Sequence, residues 1–398
     1  MLFSKYSSMK KVALLIVFLT TFFSSKAQYN SIGHRSESFN DASRSRSVTC
    51  EIYYPADASG NNVPVVSDTL HFPVLVFGHG FVMAYTSYAT LRDSLVSRGY
   101  IMAFPTTESG FSPSHLEFGK DIAFVAEQIQ LTNSIITDLF YNRVATTTCV
   151  MGHSMGGGAS FLSVPFFSGI TAIANLAAAE TSPSAVTAAS SLTIPALLIA
   201  GGNDCITPAA TNQLLMYNAM SNACKNFVSI NGASHCQMGD FNLNCSLGEA
   251  TCSPAAAITR EVQQEKILQY LSPWLDAVLK DDCQAGIDFQ NLRDNDTTIT
   301  FLQSCDLCTS TAIDQLSIDR LTAVPNPFDN SITVDLGETL PECKVTIFDM
   351  SGRLLRQQFF YGQKSVLIDN LSLCAGTYLV QLLNVVKGEK KQVLAVKN

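Results

Sequence analysis

"CVMGHSMGGGAS", residues 149–160, decides the reading of this chain. Cys149, Val150 and Met151 close an apolar run of the kind that forms a buried strand. The run stops at Gly152, and Gly156, Gly157 and Gly158 follow within six residues. One hydroxyl, Ser154, sits among them. Gly152-His153-Ser154-Met155-Gly156 fits G-x-S-x-G, in which a strand enters a helix through a very tight turn with the serine at its apex. Side chains on the flanking positions would obstruct such a turn. Glycine at 152 and 156 removes them, and Gly157 and Gly158 let the following helix approach the sheet. The hydroxyl then lies at a helix N-terminus, where partial positive charge favours a developing oxyanion. A glycine-rich turn without chemistry is the alternative. The strand before it and the alanine-rich helix start after it favour a nucleophile.

A serine hydroxyl is a poor nucleophile near neutral pH and needs a base. The chain has six histidines, at 34, 71, 79, 115, 153 and 235. His153 adjoins the serine and points the wrong way to serve it. His34 and His115 lie in polar loops, and His71 precedes a strand. His79 is expected to pack and hydrogen-bond beneath its loop. His235, in "SINGASHCQMGD", follows a strand at its C-terminal end, where active sites of open α/β sheets lie. The base needs an acid to hold its tautomer. Asp204, in "IPALLIAGGNDCITP", falls just past another strand end. Asp240 competes, but it lies five residues after His235 and follows no strand. Two backbone N–H groups are candidates for the oxyanion hole. One belongs to Met155. The other belongs to Phe81, which ends "VLVFGHGF" with Gly78 and Gly80 allowing close approach.

Around these motifs, from about residue 45 to 282, near-continuous apolar runs alternate with helical patterns. The runs are "SVTCEIYYP", "FPVLVFGHG", "YIMAFPT", "TTTCVMGHS", "TAIANLAAA", "IPALLIAGG" and "NFVSING". Phe118, Ile122, Val125 and Ile129 recur at helical steps. A last amphipathic helix is expected in "EVQQEKILQYLSPWLDAVLKD", interrupted near Pro273. Such alternation implies an α/β fold, a mostly parallel, doubly wound sheet covered on both sides. About fourteen residues separate the strand after the nucleophile helix from the strand before Asp204, so no large lid is expected. Residues 284–320 are polar and lack a sustained period, which reads as a linker. Residues 321–398 alternate in short runs between Asn, Gly and Asp turns, which reads as a small all-β sandwich.

Hydrophobic residues make up 47% of the 398, ample for a packed core. The formal charge of -8 offers no basic footprint for nucleic acid. Lys10 and Lys11 precede "VALLIVFLTTFF", and small residues lead to Ala27. This reads as a signal peptide over residues 1–27, too short in its apolar part to span a bilayer. Its removal takes four lysines and no acidic residue, leaving a formal charge of -12.

Export lets the twelve cysteines pair. A Cys205–Cys236 bridge would clamp the acid loop to the base loop, by about 3 kcal/mol on loop-closure grounds. Cys224 competes for either partner, and Cys245 and Cys252 are placed to close a loop locally. Cys149 is expected to be a buried free thiol. Cys305-x-x-Cys308 lacks a second pair suitably placed, so no metal is expected, nor any cofactor.

"GHSMGGGAS", the Gly80-Phe81 loop, "IAGGNDCITP" and "INGASHC" together resemble the α/β-hydrolases of the dienelactone-hydrolase-like, cutinase-like group that includes poly(ethylene terephthalate) (PET) hydrolases. The resemblance implies a catalytic domain over 28–283 that hydrolyses carboxylic esters. It also implies a Ser154–Asp204–His235 triad, oxyanion donors at Phe81 and Met155, and substrate contact by Phe81 and Met155. Two features depart from it. Polyester hydrolases of that group often carry a tryptophan where this chain has alanine or Glu180, so Glu180 is placed among the substrate-binding positions and no aromatic clamp is expected there. The segment after His235 is also long. "VPNPFDNSITVDL", "VTIFDMSGRLLRQ" and "LSLCAGTYLVQL" resemble a type IX secretion sorting domain over 321–398. That implies the type IX machinery as a partner, a secreted or cell-surface location, and removal of the domain. The expected protein is a monomer acting on an ester substrate, broad or polymeric. A lipase, or a non-catalytic surface-binding protein with a hydrolase-like shell, is the alternative.

Overall fold

The structure is a computed structural model that describes residues 29–308 and 321–398, apart from 222, 350–352, 370, 372 and 386–389. The expected signal peptide over 1–27 and the end of the expected linker, 309–320, lie outside the described residues. The chain divides into two compact units, broken near residue 310.

The first unit begins with β1 (Ile32–Asp41), β2 (Arg46–Pro55) and β3 (Gly60–Asn61). The alternation of strands and helices then runs β4 (Phe72–Gly78), α1 (Ala89–Val96), β5 (Ile101–Pro105), α2 (His115–Thr132), β6 (Val144–His153), α3 (Met155–Ser163) and β7 (Ala172–Leu176). It continues with α4 (Ala185–Ala189), β8 (Ala196–Gly201), α5 (Gln213–Ala219), β9 (Lys225–Ile230), α6 (Leu243–Glu249), α7 (Arg260–Leu279), α8 (Cys283–Asn295) and β10 (Ile299–Gln303). The ten strands form one sheet in the order β10-β9-β8-β7-β6-β4-β5-β2-β1-β3. Strands β5, β4, β6, β7, β8 and β9 run parallel, β2 joins β5 antiparallel, and β10 joins β9 antiparallel. This is the α/β-hydrolase fold.

The pleat explains why the central strands are apolar throughout. In β4, Val74 and Val76 join the core beneath α2, α3, α4 and α5, while Leu75 and Phe77 join the core beneath α1, α7 and α8. In α2, Phe118, Ile122, Val125 and Ile129 are fully buried, each stabilising the fold by about 2 kcal/mol. Helix α7 runs through Pro273 without the expected interruption. A proline inside a helix costs about 3 kcal/mol. Burial of Ile267, Tyr270, Leu271, Trp274 and Leu275 along the same helix outweighs it.

The expected linker over 284–320 is corrected by α8 and β10, which belong to the first unit. Helix α8 buries only Ala285, Gly286, Phe289 and Arg293, and β10 is an edge strand that buries only Ile299. Too few apolar positions remain to give a period. Bridges Cys283–Cys308 and Cys224–Cys305 hold this stretch in place.

The second unit contains β11 (Thr322–Val324), β12 (Ile332–Asp349), β13 (Leu354–Ile368), β14 (Gly376–Asn384) and β15 (Lys390–Lys397). They form an antiparallel sheet in the order β11-β12-β14-β15, with β13 also paired to β12. Strand β12 is longer than the two separate runs in the sequence suggest. A register shift between Asp335 and Leu340 lets one strand pair with β11 in its first part and β14 in its second. Ile332, Val334, Val345, Ile347, Val366 and Val380 share a single apolar core.

Candidate active site

Ser154 lies between the last residue of β6 and the first of α3, with φ 55° and ψ -120°. A non-glycine residue there is strained by about 1–3 kcal/mol. Three backbone hydrogen bonds hold it. Ser154 N donates to Leu176 O (3.1 Å), and Ser154 O accepts from Ala179 N (2.8 Å) and Gly158 N (3.1 Å). The glycines have a steric cause. A Cβ on Gly152 would lie 2.3 Å from the Gly156 carbonyl carbon, and one on Gly156 would lie 2.1 Å from Gly78 O. The elbow is therefore pressed against the end of β4, where the Gly80-Phe81 loop begins. Ser154 is 9% exposed, so its surroundings are close-packed.

Asp204 follows the end of β8 and His235 follows the end of β9, both at the carboxyl edge of the sheet. Asp204 Oδ2 accepts from His235 Nδ1 at 2.8 Å, between two buried side chains. Asp204 Oδ1 accepts from the backbone N–H groups of Ile206 and Thr207, each at 2.8 Å. Burial alone would raise the Asp204 pKa, but the hydrogen bonds and charge of His235, with those of Thr207, hold it below its ordinary value. The competing carboxylate, Asp240, does not face His235. It accepts from Thr90 N at 3.1 Å and from Gln264 Nε2 at 3.4 Å.

The structure thus joins Asp204 and His235 directly and brings Ser154 to the same edge. The His235 ring lies 4.7 Å from that of His153, the residue before the serine. His153 is fully buried, and its Nδ1 meets the Tyr88 hydroxyl at 3.0 Å. Burial drives its pKa well down, keeping the ring neutral. The Tyr88 hydroxyl also accepts from Gly80 N at 2.9 Å, so one buried phenol links the loop bearing Phe81 to the elbow. His79 lies under that loop, its ring nitrogens 2.9 Å from Gly80 O and Thr107 O. Phe81 is 50% exposed, and its N–H finds no acceptor among the described residues. Met155 is the first residue of α3, where helix geometry leaves N–H groups unpaired. The Glu180 carboxylate accepts from Val186 N at 3.0 Å, at the start of α4.

The expected bridges are corrected. Cys205 pairs with Cys252 and Cys236 with Cys245, in place of Cys205–Cys236 and Cys245–Cys252. Cys224, read as a competitor for Cys205 or Cys236, pairs instead with Cys305. The long segment after His235 includes α6, and each of the two loops is bridged to this segment, while the loops themselves meet at Asp204 and His235. On loop-closure grounds the 47-residue separation of Cys205 and Cys252 stabilises by about 4 kcal/mol. Cys149 is a buried free thiol.

Three participants escaped the sequence reading. Thr207 Oγ1 lies 2.8 Å from Asp204 Oδ2, 3.1 Å from His235 Nδ1 and 3.0 Å from Ala177 O. Its position three residues after an aspartate in a turn was the available signal. Tyr88 and Glu249 gave none, because their partners are remote in sequence. Among the described residues no group of three His, Cys, Asp or Glu is placed to hold a metal ion.

A parallel sheet that delivers a strained serine and an Asp–His pair to one edge defines the class as an α/β-fold hydrolase. Residues 23–253 match the family model described as PET hydrolase-like, and the chain belongs to that family of ester hydrolases. Residues 322–397 match the secretion system C-terminal sorting domain, which marks the protein for secretion or the cell surface. No curated protein matches the chain.

Proposed function

We propose that the protein is a secreted serine carboxylic-ester hydrolase of broad or polymeric esters. Its catalytic residues are Ser154, His235 and Asp204. His235 Nε2 takes the Ser154 proton as Oγ attacks the acyl carbon. The Phe81 and Met155 N–H groups hold the oxyanion. The proton passes to the leaving alcohol, and an acyl-serine remains. His235 then takes a proton from water, whose oxygen attacks the acyl carbon. The acid leaves as Ser154 regains its proton. Asp204 keeps the proton on Nδ1 throughout.

The observation that carries this reading is a buried Asp204–His235 hydrogen bond of 2.8 Å beside a serine held at φ 55°. Between β7 and β8 the only helix is the five-residue α4, which supports an open site rather than a covered lipase site. Half-exposed Phe81 and exposed Ile206 offer apolar contact to the substrate. Met155, the buried first residue of α3 next to Ser154, is assigned as the third contact. Glu180, its carboxylate engaged by α4, is assigned to the rim, where it adds charge rather than an aromatic face. Ser154→Ala is expected to abolish hydrolysis of p-nitrophenyl butyrate while leaving the melting temperature near that of the parent. Activity retained in that variant refutes the assignment.

A further inference from the structure

The loop carrying His235 is gripped from several sides. The Gln263 side chain pairs with both backbone groups of Ser234, receiving its N–H at 2.9 Å and donating to its carbonyl at 2.8 Å. Arg260 donates to the carbonyls of Cys236 and Gly239. Asp240 N donates to Ser87 O at 2.7 Å. On His235 itself three atoms are held, the carbonyl oxygen by Met238 N of its own turn at 3.2 Å. Nδ1 is held by Asp204 and Thr207, and the backbone N–H by Glu249 Oε1 at 2.6 Å. The same oxygen accepts from Cys236 N at 3.2 Å. These N–H groups open the short 3-10 turn Cys236–Met238, where a carboxylate satisfies donors that the turn cannot.

Glu249 is the last residue of α6, and α6 is itself fixed at several points. Asn242 caps it, accepting from Cys245 N at 3.0 Å, and reaches Ser87 Oγ at 3.2 Å. Asn244 Nδ2 donates to Val82 O, next to Phe81, at 3.2 Å. Cys245 is bridged to Cys236 on the base loop, and Cys252 to Cys205 on the acid loop. The inserted segment therefore contacts all three loops that converge on Ser154, and its one contact to the backbone of His235 is made by Glu249.

We propose that Glu249 is a positioning residue that sets the imidazole of His235 through its backbone N–H. This rests on His235 being the base. A base displaced by about 1 Å costs on the order of 10²-fold in rate, so a small drift of the turn is enough to matter.

The experiment compares Glu249→Met, of similar reach but lacking an acceptor, with Glu249→Gln, which keeps one. Turnover of p-nitrophenyl butyrate is measured per active site titrated with a fluorophosphonate, so unfolded protein does not count. Glu249→Met is expected to lower kcat by about 10²-fold. Its KM is expected to stay within about twofold of the parent, the mark of a lost transition-state interaction. Glu249→Gln is expected to restore kcat to within about threefold of the parent. Parental kcat in Glu249→Met, or a kcat in Glu249→Gln as low as in Glu249→Met, overturns the proposal. If Glu249→Met does not fold, Glu249→Asp, one methylene short of both N–H groups, takes its place with the same criteria. Ser154→Ala, which has no serine there to titrate, is measured alongside per mole of protein shown folded by circular dichroism. Turnover surviving there rejects the serine reading, whereas its loss together with parental kcat in Glu249→Met rejects only the role of Glu249.

Discussion

Asp204→Asn changes one atom of the site, and the structure dictates which one. Asp204 Oδ1 accepts from Ile206 N and Thr207 N, both at 2.8 Å, and those groups can only donate. The amide oxygen of an asparagine must therefore stay there. Its NH2 takes the place of Oδ2, 2.8 Å from His235 Nδ1. A donor facing Nδ1 makes that nitrogen the acceptor and moves the imidazole proton to Nε2. The nitrogen that must take the serine proton then already carries one. A wrong tautomer of this kind lowers kcat by about 10⁴, or about 5 kcal/mol of transition-state stabilisation. The assay is steady-state hydrolysis of p-nitrophenyl butyrate, with circular dichroism to show the fold intact. Stability adds a pH signature. The folded pKa of Asp204 is depressed, since hydrogen bonds from His235 and Thr207 outweigh burial. Its ionised form therefore stabilises the fold above the ordinary carboxylate value, and that contribution is lost as pH falls through the folded value. The stability gap between parent and variant should narrow on acidification. A variant that keeps more than about a tenth of the parental kcat refutes the argument from tautomer.

Thr207→Val keeps the shape and removes a hydroxyl shared among Asp204, His235 and Ala177; it should lower kcat about tenfold, equivalent to one hydrogen bond. Unchanged kcat would place Thr207 outside the acid–base pair's support. Tyr88→Phe leaves the buried Gly80 N–H and His153 Nδ1 without their phenol, and urea unfolding should show a loss of about 2–4 kcal/mol. A loss under about 0.5 kcal/mol would mean that the loop bearing Phe81 does not depend on this link.

What was legible in the sequence is what is local. The elbow is visible because its steric demands fall on residues two positions either side of Ser154, where an added Cβ would come within 2.1–2.3 Å of backbone atoms, so nothing but glycine fits at 152 and 156. The end of β8 is visible because the apolar run ALLIAG stops there, and the end of β9 because its apolar Phe227, Val228 and Ile230 stop at the turn residues Asn231 and Gly232. Strand β1 was missed because its IGHRSESFND sequence lies near the sheet edge and buries little, giving an alternation too polar to register. The bridges were misread because the two loops meet through Asp204 and His235, yet the cysteine of each finds its partner in the segment that includes α6. Thr207 was marked only by its place three residues after Asp204, whereas Tyr88 and Glu249 act across 65 and 14 residues, and no pattern in the chain marks such contacts.

The central claim is that Ser154 is the nucleophile. Incubation of the intact protein with a fluorophosphonate, followed by mass measurement of the whole chain and its peptides, tests it directly. The account predicts one adduct per molecule, on the peptide containing Gly152-His153-Ser154-Met155-Gly156. An unmodified chain, or an adduct on any other residue, contradicts it.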